Sequence, residues 1–318
     1  MITRRRFIGN AAALLASSAL SSVESFAESK LKPNFDVPIG ACDCHIHVIG
    51  PQAQYPMVSD RVYTPPECGV PALKQHLKGL NLSRVVLIQP SFYGTDNTFQ
   101  LLSTQEMGNS ARAVIVIDEK TTDQELAKMV SMGARGVRMN LSTSGIFDAE
   151  VARKQLVQLA QRIKDFDLHI QIYASAKVIA GIANSIYTLP VPVVFDHFAS
   201  IKAAGFEKQI ELPVILDLAK SGKIYIKLSG IYRISNASPD YSEVKDLAQL
   251  YVETNPDRML WASDWPHTNT LPGIPAMQIT PYRIVDDLRI FNLLPEWIPN
   301  RQNLLKVLVS NPERLYRF

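Results

Sequence analysis

The sequence predicts a (β/α)8 TIM barrel, an α/β fold, and three observations lead to this prediction. Short runs rich in branched aliphatic residues alternate eight times with amphipathic stretches, at a spacing of roughly 30 residues. Runs such as residues 85–88 are continuously hydrophobic, which is typical of parallel strands covered on both faces. The rival fold, an open doubly wound sheet, would want a glycine-rich phosphate turn, and the sequence holds neither a GxGxxG motif nor a P-loop.

The predicted elements follow one another in strand–helix order along the chain. The eight strands are predicted at residues 41–46, 84–89, 113–117, 136–139, 169–173, 193–196, 224–228 and 259–262. Helices are predicted near residues 71–79, 97–109, 123–132, 149–166, 176–184, 211–221, 241–254, 282–292 and 301–308. Eight such units close into a barrel, and one domain of this size is ordinary for the fold.

Residues 1–27 have the features of a twin-arginine signal peptide. Arg4, Arg5 and Arg6 precede an apolar run that ends near Leu20, and the small residues up to Ala27 suit a signal peptidase. The run is about 13 residues long, too short to span a bilayer as a helix of the mature protein. We therefore expect export by the twin-arginine machinery, a periplasmic location, and one barrel domain at residues 28–318. The alternative is a basic N-terminus of a cytosolic enzyme.

The net charge argues against a nucleic-acid partner, and the cysteine content argues against a disulfide framework and a zinc–thiolate site. The formal net charge is +3, of which the leader carries +2, so the mature chain has no electrostatic case for binding nucleic acid. The odd set of Cys42, Cys44 and Cys68 predicts no disulfide framework, and no second cysteine pair is available for a zinc–thiolate site. We expect Cys42 and Cys44 to be small core residues.

Chemically active residues stand where several predicted strands end. His45 and His47 are two residues apart, so in a strand they project from the same face. Tyr173 ends the fifth strand, His197 follows the sixth and Asp264 follows the eighth. Strand ends at the carboxyl face of a barrel carry catalytic groups, so we expect these side chains to converge there. The alternatives are solvated histidines on an edge strand and, for His197 alone, a core histidine.

The sequence resembles the amidohydrolase superfamily over nearly all of residues 36–318. The resemblance is carried by these residues, by the stretch 263–267 (Ser-Asp-Trp-Pro-His) and by the closing stretch 311–316. The resemblance is to its amidohydrolase 2 branch, and it implies an amidohydrolase-type barrel that hydrolyses a carboxylated lactone. Asp264 is then expected to take a proton from water, while His45, His47 and His197 donate hydrogen bonds to the lactone carbonyl. The implied substrate-binding residues are Tyr63, Ser91, Arg138, Tyr173, Arg233 and His267. Arg138 and Arg233 are expected to clamp carboxylates, with a structural ion pair as the alternative for Arg138.

We expect the protein to require no metal ion or other cofactor. Metal-using members of the branch recruit the strand-one histidines, a histidine at the end of strand five and the strand-eight aspartate. Here Tyr173 stands at that strand-five end, and His169 is about 13 Å further down the strand. Metal-independent lactonases of the branch carry tyrosine at the matching place, so the resemblance implies that no metal is required. The open alternative is Zn or Mn held by His45, His47 and Asp264.

The substrate end departs from the pattern of the dicarboxylate lactonases in this branch. Ser144 and Ser200 stand where those enzymes carry arginines, which favours a monocarboxylate or sugar-acid lactone. Three alternatives to hydrolysis without metal stay open: a lactone isomerase acting on a sugar-acid lactone, a metal-dependent hydrolase or decarboxylase, and a non-catalytic exported sugar-acid binding protein. Asp264 argues against the binding protein, because a pure binder of anions has no need of a carboxylate in its site.

Overall fold

The computed structural model describes residues 32–318, and within them the eight predicted strands are present. They are parallel, and each strand pairs with the next along the chain. A β-bridge between Ile46 and Trp265 joins the ends of the first and last strands, so the barrel is nearly closed. The strands are β1 Cys42–Ile46, β2 Arg84–Ile88, β3 Ala111–Ile115, β4 Ala134–Asn140, β5 His169–Tyr173, β6 Val193–Phe195, β7 Ile224–Leu228 and β8 Met259–Trp261. The predicted leader, residues 1–27, lies outside the described residues.

Helices follow the strands and cover the outside of the barrel. They are α1 Val70–Gly79, α2 Thr98–Met107, α3 Asp123–Ser131, α4 Ala149–Ile163, α5 Ala176–Ile186, α6 Leu212–Lys220, α7 Val244–Thr254, α8 Asp287–Phe291, α9 Leu294–Trp297, α10 Arg301–Leu305 and α11 Asn311–Tyr316. Several begin as their sequences predict: Thr122 and Glu125 form a reciprocal capping box at α3, and Asp148 and Ser175 cap α4 and α5. Within residues 32–318, no helix combines the length and hydrophobicity that crossing a bilayer requires.

The last part of the chain differs most from the prediction. The helix predicted at residues 282–292 begins only at Asp287, and the one predicted at residues 301–308 ends at Leu305. A π-helical turn, Lys306–Ser310, then leads into α11. Pro312 has no N–H to donate to the carbonyl four residues earlier, which interrupts a continuous α-helical ladder at this point. The wider turn accommodates the interruption.

The interior of the barrel has an apolar layer beneath a polar one. Cys42 and Cys44 pack with Tyr316 and with small aliphatic residues of the other strands. All three cysteines are free and buried, and for Cys42 and Cys44 a core position was expected from the sequence. The pairing of β1 with β2 shifts register between Asp43 and Ile46, and past this irregularity His45 reaches the polar layer. The active end of the barrel therefore begins directly above a buried apolar base.

Candidate active site

Four side chains predicted to converge do meet at the carboxyl end of the barrel. The Oδ1 atom of Asp264 lies 3.5 Å from Nε2 of His45, 4.0 Å from Nε2 of His47 and 3.9 Å from Nε2 of His197. The ring of His45 contacts the rings of the other two histidines, with centroids 5.1 and 5.0 Å away. All four residues are buried, with at most 4% of their surface exposed. The site is thus a closely packed set of three imidazoles around one carboxylate oxygen.

The backbone around Asp264 explains how its carboxylate reaches the barrel axis. Asp264 has φ of 69°, in the left-handed region that non-glycine residues rarely adopt. Its N–H donates to the carbonyl of His45 at 3.1 Å, and the preceding N–H of Ser263 donates to Asp43. These bonds join the end of β8 to β1. They offset the conformational cost, typically 1–3 kcal/mol, that such a residue carries.

The two oxygens of Asp264 have different surroundings. Oδ2 accepts hydrogen bonds from the hydroxyl of Tyr232 at 2.6 Å and from Nε of Arg233 at 2.8 Å. Oδ1 finds no hydrogen-bond partner among the described residues and faces the three histidines. Burial works to raise the pKa of Asp264, but the charge of Arg233 and then the histidines outweigh it and hold the pKa well below its usual range. The carboxylate is therefore ionised at neutral pH, with one oxygen anchored and one available.

The histidines are neutral at the same pH. Burial lowers the pKa of His47 and of His197 to about 4, and it lowers the pKa of His45 well below 6.5. The positive charge of Arg138 adds to this effect at His47. A neutral imidazole carries one proton, so each ring can donate from only one of its nitrogens.

Hydrogen bonds to Nδ1 decide which nitrogen that is. Nδ1 of His47 lies 2.8 Å from the carbonyl oxygen of Ile88, which can only accept, so the proton is on Nδ1 and Nε2 presents a lone pair. This differs from the donor role expected of His47 from the sequence. Nδ1 of His197 lies 3.0 Å from the hydroxyl of Ser229, which can donate or accept. Nδ1 of His45 lies 3.2 Å from the ammonium of Lys227.

Beneath the histidines lies what we call the polar layer: Arg138, Gln171, Asp196 and Lys227. Nη2 of Arg138 and Nζ of Lys227 each lie 3.4 Å from Asp196, on opposite carboxylate oxygens, and Lys227 donates to Gln171 at 2.7 Å. A further N–H of Arg138 donates to the carbonyl of Gln89. Arg138 thus occupies the structural ion pair that was the alternative to a carboxylate clamp, and it is only 7% exposed.

Lys227 was missed from the sequence, although a signal existed. It is a lysine within the otherwise apolar strand Ile224–Leu228, and a fully buried lysine is rare unless it is paired. Asp196 is the last residue of the predicted sixth strand, and no role was predicted for it from the sequence. The contact between Asp196 and Lys227 depends on strands β6 and β7 being neighbours. The sequence pattern does not indicate which side chains lie opposite one another across that pair of strands.

His267 lies outside the imidazole cluster, in a chain of buried polar groups. Its Nδ1 is 3.3 Å from the hydroxyl of Tyr232, and its Nε2 is 3.0 Å from Asp287. Asp287 also lies 3.6 Å from His76, whose ring stacks on Trp265. His267 therefore supports the Tyr232 hydroxyl that binds Asp264. Tyr232, His76 and Asp287 were not predicted, because they come from three separate elements without a motif.

A cavity of about 340 Å³, the mouth cavity, opens above the cluster. Of the implied binding residues, Tyr63, Tyr173 and Arg233 line it. Within residues 32–318, Ser91, Arg138 and His267 are not among its lining side chains. Most of the remaining lining groups are small and neutral, with hydroxyls or an amide: Ser142, Thr143, Thr268, Asn269 and Thr270. Larger cavities, of about 430 and 590 Å³, lie elsewhere and contain none of the three histidines of the cluster.

Arg283 is a second arginine at the mouth cavity, and it was missed from the sequence. Its guanidinium lies over the ring of Tyr232, 5.4 Å from the centroid, and no ion-pair partner for it is found in the described part of the chain. Arg233, by contrast, is held by Asp264. The loop that carries Arg283 follows β8 without regular structure, so no periodicity marks the residue in the sequence.

The distances between the side chains of the cluster resemble those of a metal site. The positions of the ring protons and the nearby positive charges do not suit a metal ion. His45, His47 and Asp264 bring one ligand atom each within 4.8 Å of one another. A histidine that ligates zinc usually donates its other nitrogen to a carbonyl or carboxylate. His47 follows that pattern. Nδ1 of His45 instead makes its hydrogen bond with the ammonium of Lys227, while Oδ1 of Asp196, 3.2 Å away, is not aligned to accept from it, and the charge of Arg233 lies on Oδ2 of Asp264. As arranged, these residues do not fit a bound divalent ion.

Comparison with known proteins agrees with this fold. Two relatives are 30% identical to the chain: 4-sulfomuconolactone hydrolase of Rhizobium radiobacter, over 286 residues that cover 89% of this chain and 92% of that one, and 2-pyrone-4,6-dicarboxylate hydrolase of Comamonas testosteroni, over 294 residues that cover 90% and 92%. An apo crystal structure of the Agrobacterium tumefaciens protein ATU3138 matches with a TM-score of 0.76 at 25% identity, covering 90% of this chain and 98% of that one.

The sequence profile of the family described as Amidohydrolase (Amidohydro_2) matches residues 42–318. That range begins at β1, which carries His45 and leads directly into His47, and it includes every strand and loop that contributes to the site. With the barrel, the strand-end cluster and this match in agreement, the chain belongs to the amidohydrolase family.

Proposed function

We propose that this enzyme hydrolyses a carboxylated lactone and requires no metal ion. Its two lactone-hydrolysing relatives support the reaction class, because the likeness covers 89% or more of this chain. The observation that carries the proposal is the ionised carboxylate of Asp264, with one oxygen free among three neutral imidazoles. Ester hydrolysis needs a base for water and a donor for the developing oxyanion, and this cluster offers both.

In the proposed reaction, Asp264 activates water. Oδ1 accepts one proton of the water molecule, while Arg233 and Tyr232 keep the carboxylate oriented through Oδ2. The lone pair on Nε2 of His47 can accept the second hydrogen of the same water and so aim its oxygen at the carbonyl carbon. A carboxylate with a lowered pKa is a weak base, so most of the rate enhancement would come from positioning and from polarising the carbonyl.

His45 is the proposed donor to the lactone carbonyl. The water oxygen bonds to the carbonyl carbon, the carbonyl oxygen gains negative charge, and an N–H at Nε2 of His45 stabilises that charge. The bond from the carbonyl carbon to the ring oxygen then breaks, and the proton held by Asp264 passes to the leaving oxygen. The product is a hydroxy acid, whose new carboxyl group ionises.

We propose that the substrate carries one carboxylate and several hydroxyl groups, as a sugar-acid lactone does. Arg138 is occupied within the polar layer and Arg233 by Asp264, so Arg283 is the cation best placed to receive a substrate carboxylate at the mouth cavity. The hydroxyl and amide groups that line the same cavity suit a hydroxylated ring better than a flat apolar one.

The deciding experiment is a lactone screen of the purified mature protein with and without a chelator. Aldarolactones, which carry a free carboxylate, are compared with the matching aldonolactones, and products are identified by NMR. Chelator-resistant formation of the hydroxy acid supports the proposal. An isomerised lactone would favour the isomerase, chelator-sensitive turnover would favour the metal-dependent hydrolase or decarboxylase, and binding without turnover of any lactone would contradict an enzymatic role.

We also propose that the protein is exported by the twin-arginine route. Arg4, Arg5 and Arg6 before the short apolar run of the leader support this. Replacing Arg4, Arg5 and Arg6 together by lysine should retain the protein in the cytoplasm, as cell fractionation would show. Periplasmic protein in undiminished amount from that variant would contradict the proposal.

A further inference from the structure

Lys227 is a buried cation to which the proposed reaction assigns no role. It sits in β7 with 0% of its surface exposed, and it does not line the mouth cavity. Its ammonium contacts three groups: Oε1 of Gln171 at 2.7 Å, Nδ1 of His45 at 3.2 Å and Oδ1 of Asp196 at 3.4 Å. Burying a lysine is costly, so the contacts that it makes call for an explanation beyond packing.

The contact with His45 determines where the ring proton lies. An ammonium group has three donors and no acceptor, so a hydrogen bond from Lys227 requires a lone pair on Nδ1. Oδ1 of Asp196 lies 3.2 Å from the same nitrogen, but it finds no hydrogen-bond partner among the described residues. The aligned partner of Nδ1 is therefore the donor Lys227, which leaves the proton of the neutral ring on Nε2.

His45 and His47 then carry opposite tautomers although they are only two residues apart, one near the end of β1 and one directly after it. The carbonyl of Ile88 holds the proton of His47 on Nδ1, whereas Lys227 leaves the proton of His45 on Nε2. One ring thus offers a lone pair to the site and the other an N–H. Nε2 of His45 is itself buried with no hydrogen-bond partner among the described residues, and it lies 3.5 Å from Oδ1 of Asp264, directly beneath His47 and His197, which line the mouth cavity.

From this geometry we infer that Lys227 is a positioning residue with two effects on His45. It holds the ring as an Nε2–H donor toward the substrate carbonyl, and it makes the same nitrogen unable to ligate a metal ion. A protonated nitrogen has no lone pair for a metal, and the nearby positive charge opposes a divalent cation. The first effect rests on the proposed function, and the second does not.

The first test observes the tautomer directly in the wild-type protein. Histidine-selective 15N NMR distinguishes the two neutral forms, and the resonances of His45 are assigned from their loss in the His45→Asn variant. We expect His45 in the Nε2–H form and His47 in the Nδ1–H form. His45 in the Nδ1–H form would overturn the inference, whatever any variant does.

The second test adds Lys227→Met, with Lys223→Met as the matched control. Lys223 is an exposed lysine directly before β7, so the control makes the same chemical change on the same segment without touching His45. In Lys227→Met we expect His45 to shift toward the Nδ1–H form, with Zn²⁺ binding at about one equivalent by calorimetry. We expect the affinity for Zn²⁺ to be at least about tenfold above that of the wild type and the control.

The other possible results of these experiments also support or overturn the inference. Zn²⁺ binding at one equivalent by the wild type, or an unchanged tautomer and Zn²⁺ affinity in Lys227→Met, would overturn the inference. In the lactone assay, Lys227→Met should lower kcat about a hundredfold with little change in KM, as expected for a lost oxyanion donor. If no lactone is turned over but the tautomers and Zn²⁺ affinities behave as stated, the proposed function fails while the metal-excluding role stands.

Discussion

The polar layer and the mouth cavity differ in how their charged groups are used. In the polar layer, Arg138 and Lys227 face one carboxylate, Asp196, and all three side chains are at most 5% exposed. At the mouth cavity, neutral hydroxyls surround Arg283, which has no ion-pair partner in the described part of the chain. Strands supply the first set and loops supply most of the second. The difference indicates that the barrel itself sets protonation, while the loops are left to select the substrate.

We expect the largest effect from a substitution at Asp264, which lies between the polar layer and the mouth cavity. Asp264→Asn keeps the shape of the side chain but removes the base, so we expect kcat to fall by about 10³–10⁴. Steady-state assays on the best lactone measure the loss, and a thermal melt shows whether the fold is kept. Activity within about tenfold of the wild type would show that another group activates water.

Arg138→Met tests whether the polar layer is structural. Removing one member of a buried ion pair typically costs about 3–5 kcal/mol, because the partner charge is left poorly compensated. We therefore expect the free energy of unfolding to fall by about that amount, reduced to the extent that Lys227 still balances Asp196. Urea unfolding measures the change. An unchanged stability with a raised KM for carboxylated lactones would return Arg138 to the role of a substrate clamp.

Because the buried histidines are neutral in the folded protein, we expect the free energy of unfolding to decrease in mild acid. Folded His47 and His197 have a pKa of about 4 against a usual 6.5, so between these values the unfolded chain binds more protons. Stability should be complete above pH 6.5 and fall as the pH approaches 4, by up to about 3 kcal/mol for each ring. Asp196 and Asp264, whose pKa values are lowered, add their loss only at lower pH.

Urea unfolding at several pH values between 7.5 and 4 checks this expectation. His197→Gln should reduce the slope of stability against pH in that window, because one titrating ring is gone. A stability that stays constant from pH 7 to pH 4.5 would mean that the rings take up protons in the folded protein as readily as in the unfolded chain.

The smallest expected effect concerns the mouth cavity. Arg283→Met should raise KM for an aldarolactone about tenfold and leave KM for the matching aldonolactone nearly unchanged, because only the first carries a carboxylate. Arg153→Met is the control, since Arg153 is an exposed arginine on α4 whose partner is Glu150. Equal effects of Arg283→Met on both lactones would remove Arg283 from carboxylate recognition.

The sequence was most informative where a pattern is local. Short runs rich in branched aliphatic residues predicted all eight strands, and β5 and β7 begin and end where they were predicted. The pair His45 and His47, and the Asp264 stretch, were found because their spacing or their neighbours form a motif. The prediction was weaker after β8, where the chain between residues 265 and 286 has little regular structure and no periodicity to detect. Arg283 lies there, and it was missed.

The sequence by itself determined the number and order of the strands, and it determined that His45, His47, His197 and Asp264 stand at or just after strand ends. Only the tertiary structure decided what those groups can do. His45 and His47 are two residues apart, yet Lys227 and the carbonyl of Ile88 assign them opposite roles. The reason is physical: hydrophobic period is a property of neighbouring residues, whereas the proton on an imidazole depends on a partner that the closed barrel brings from a distant strand.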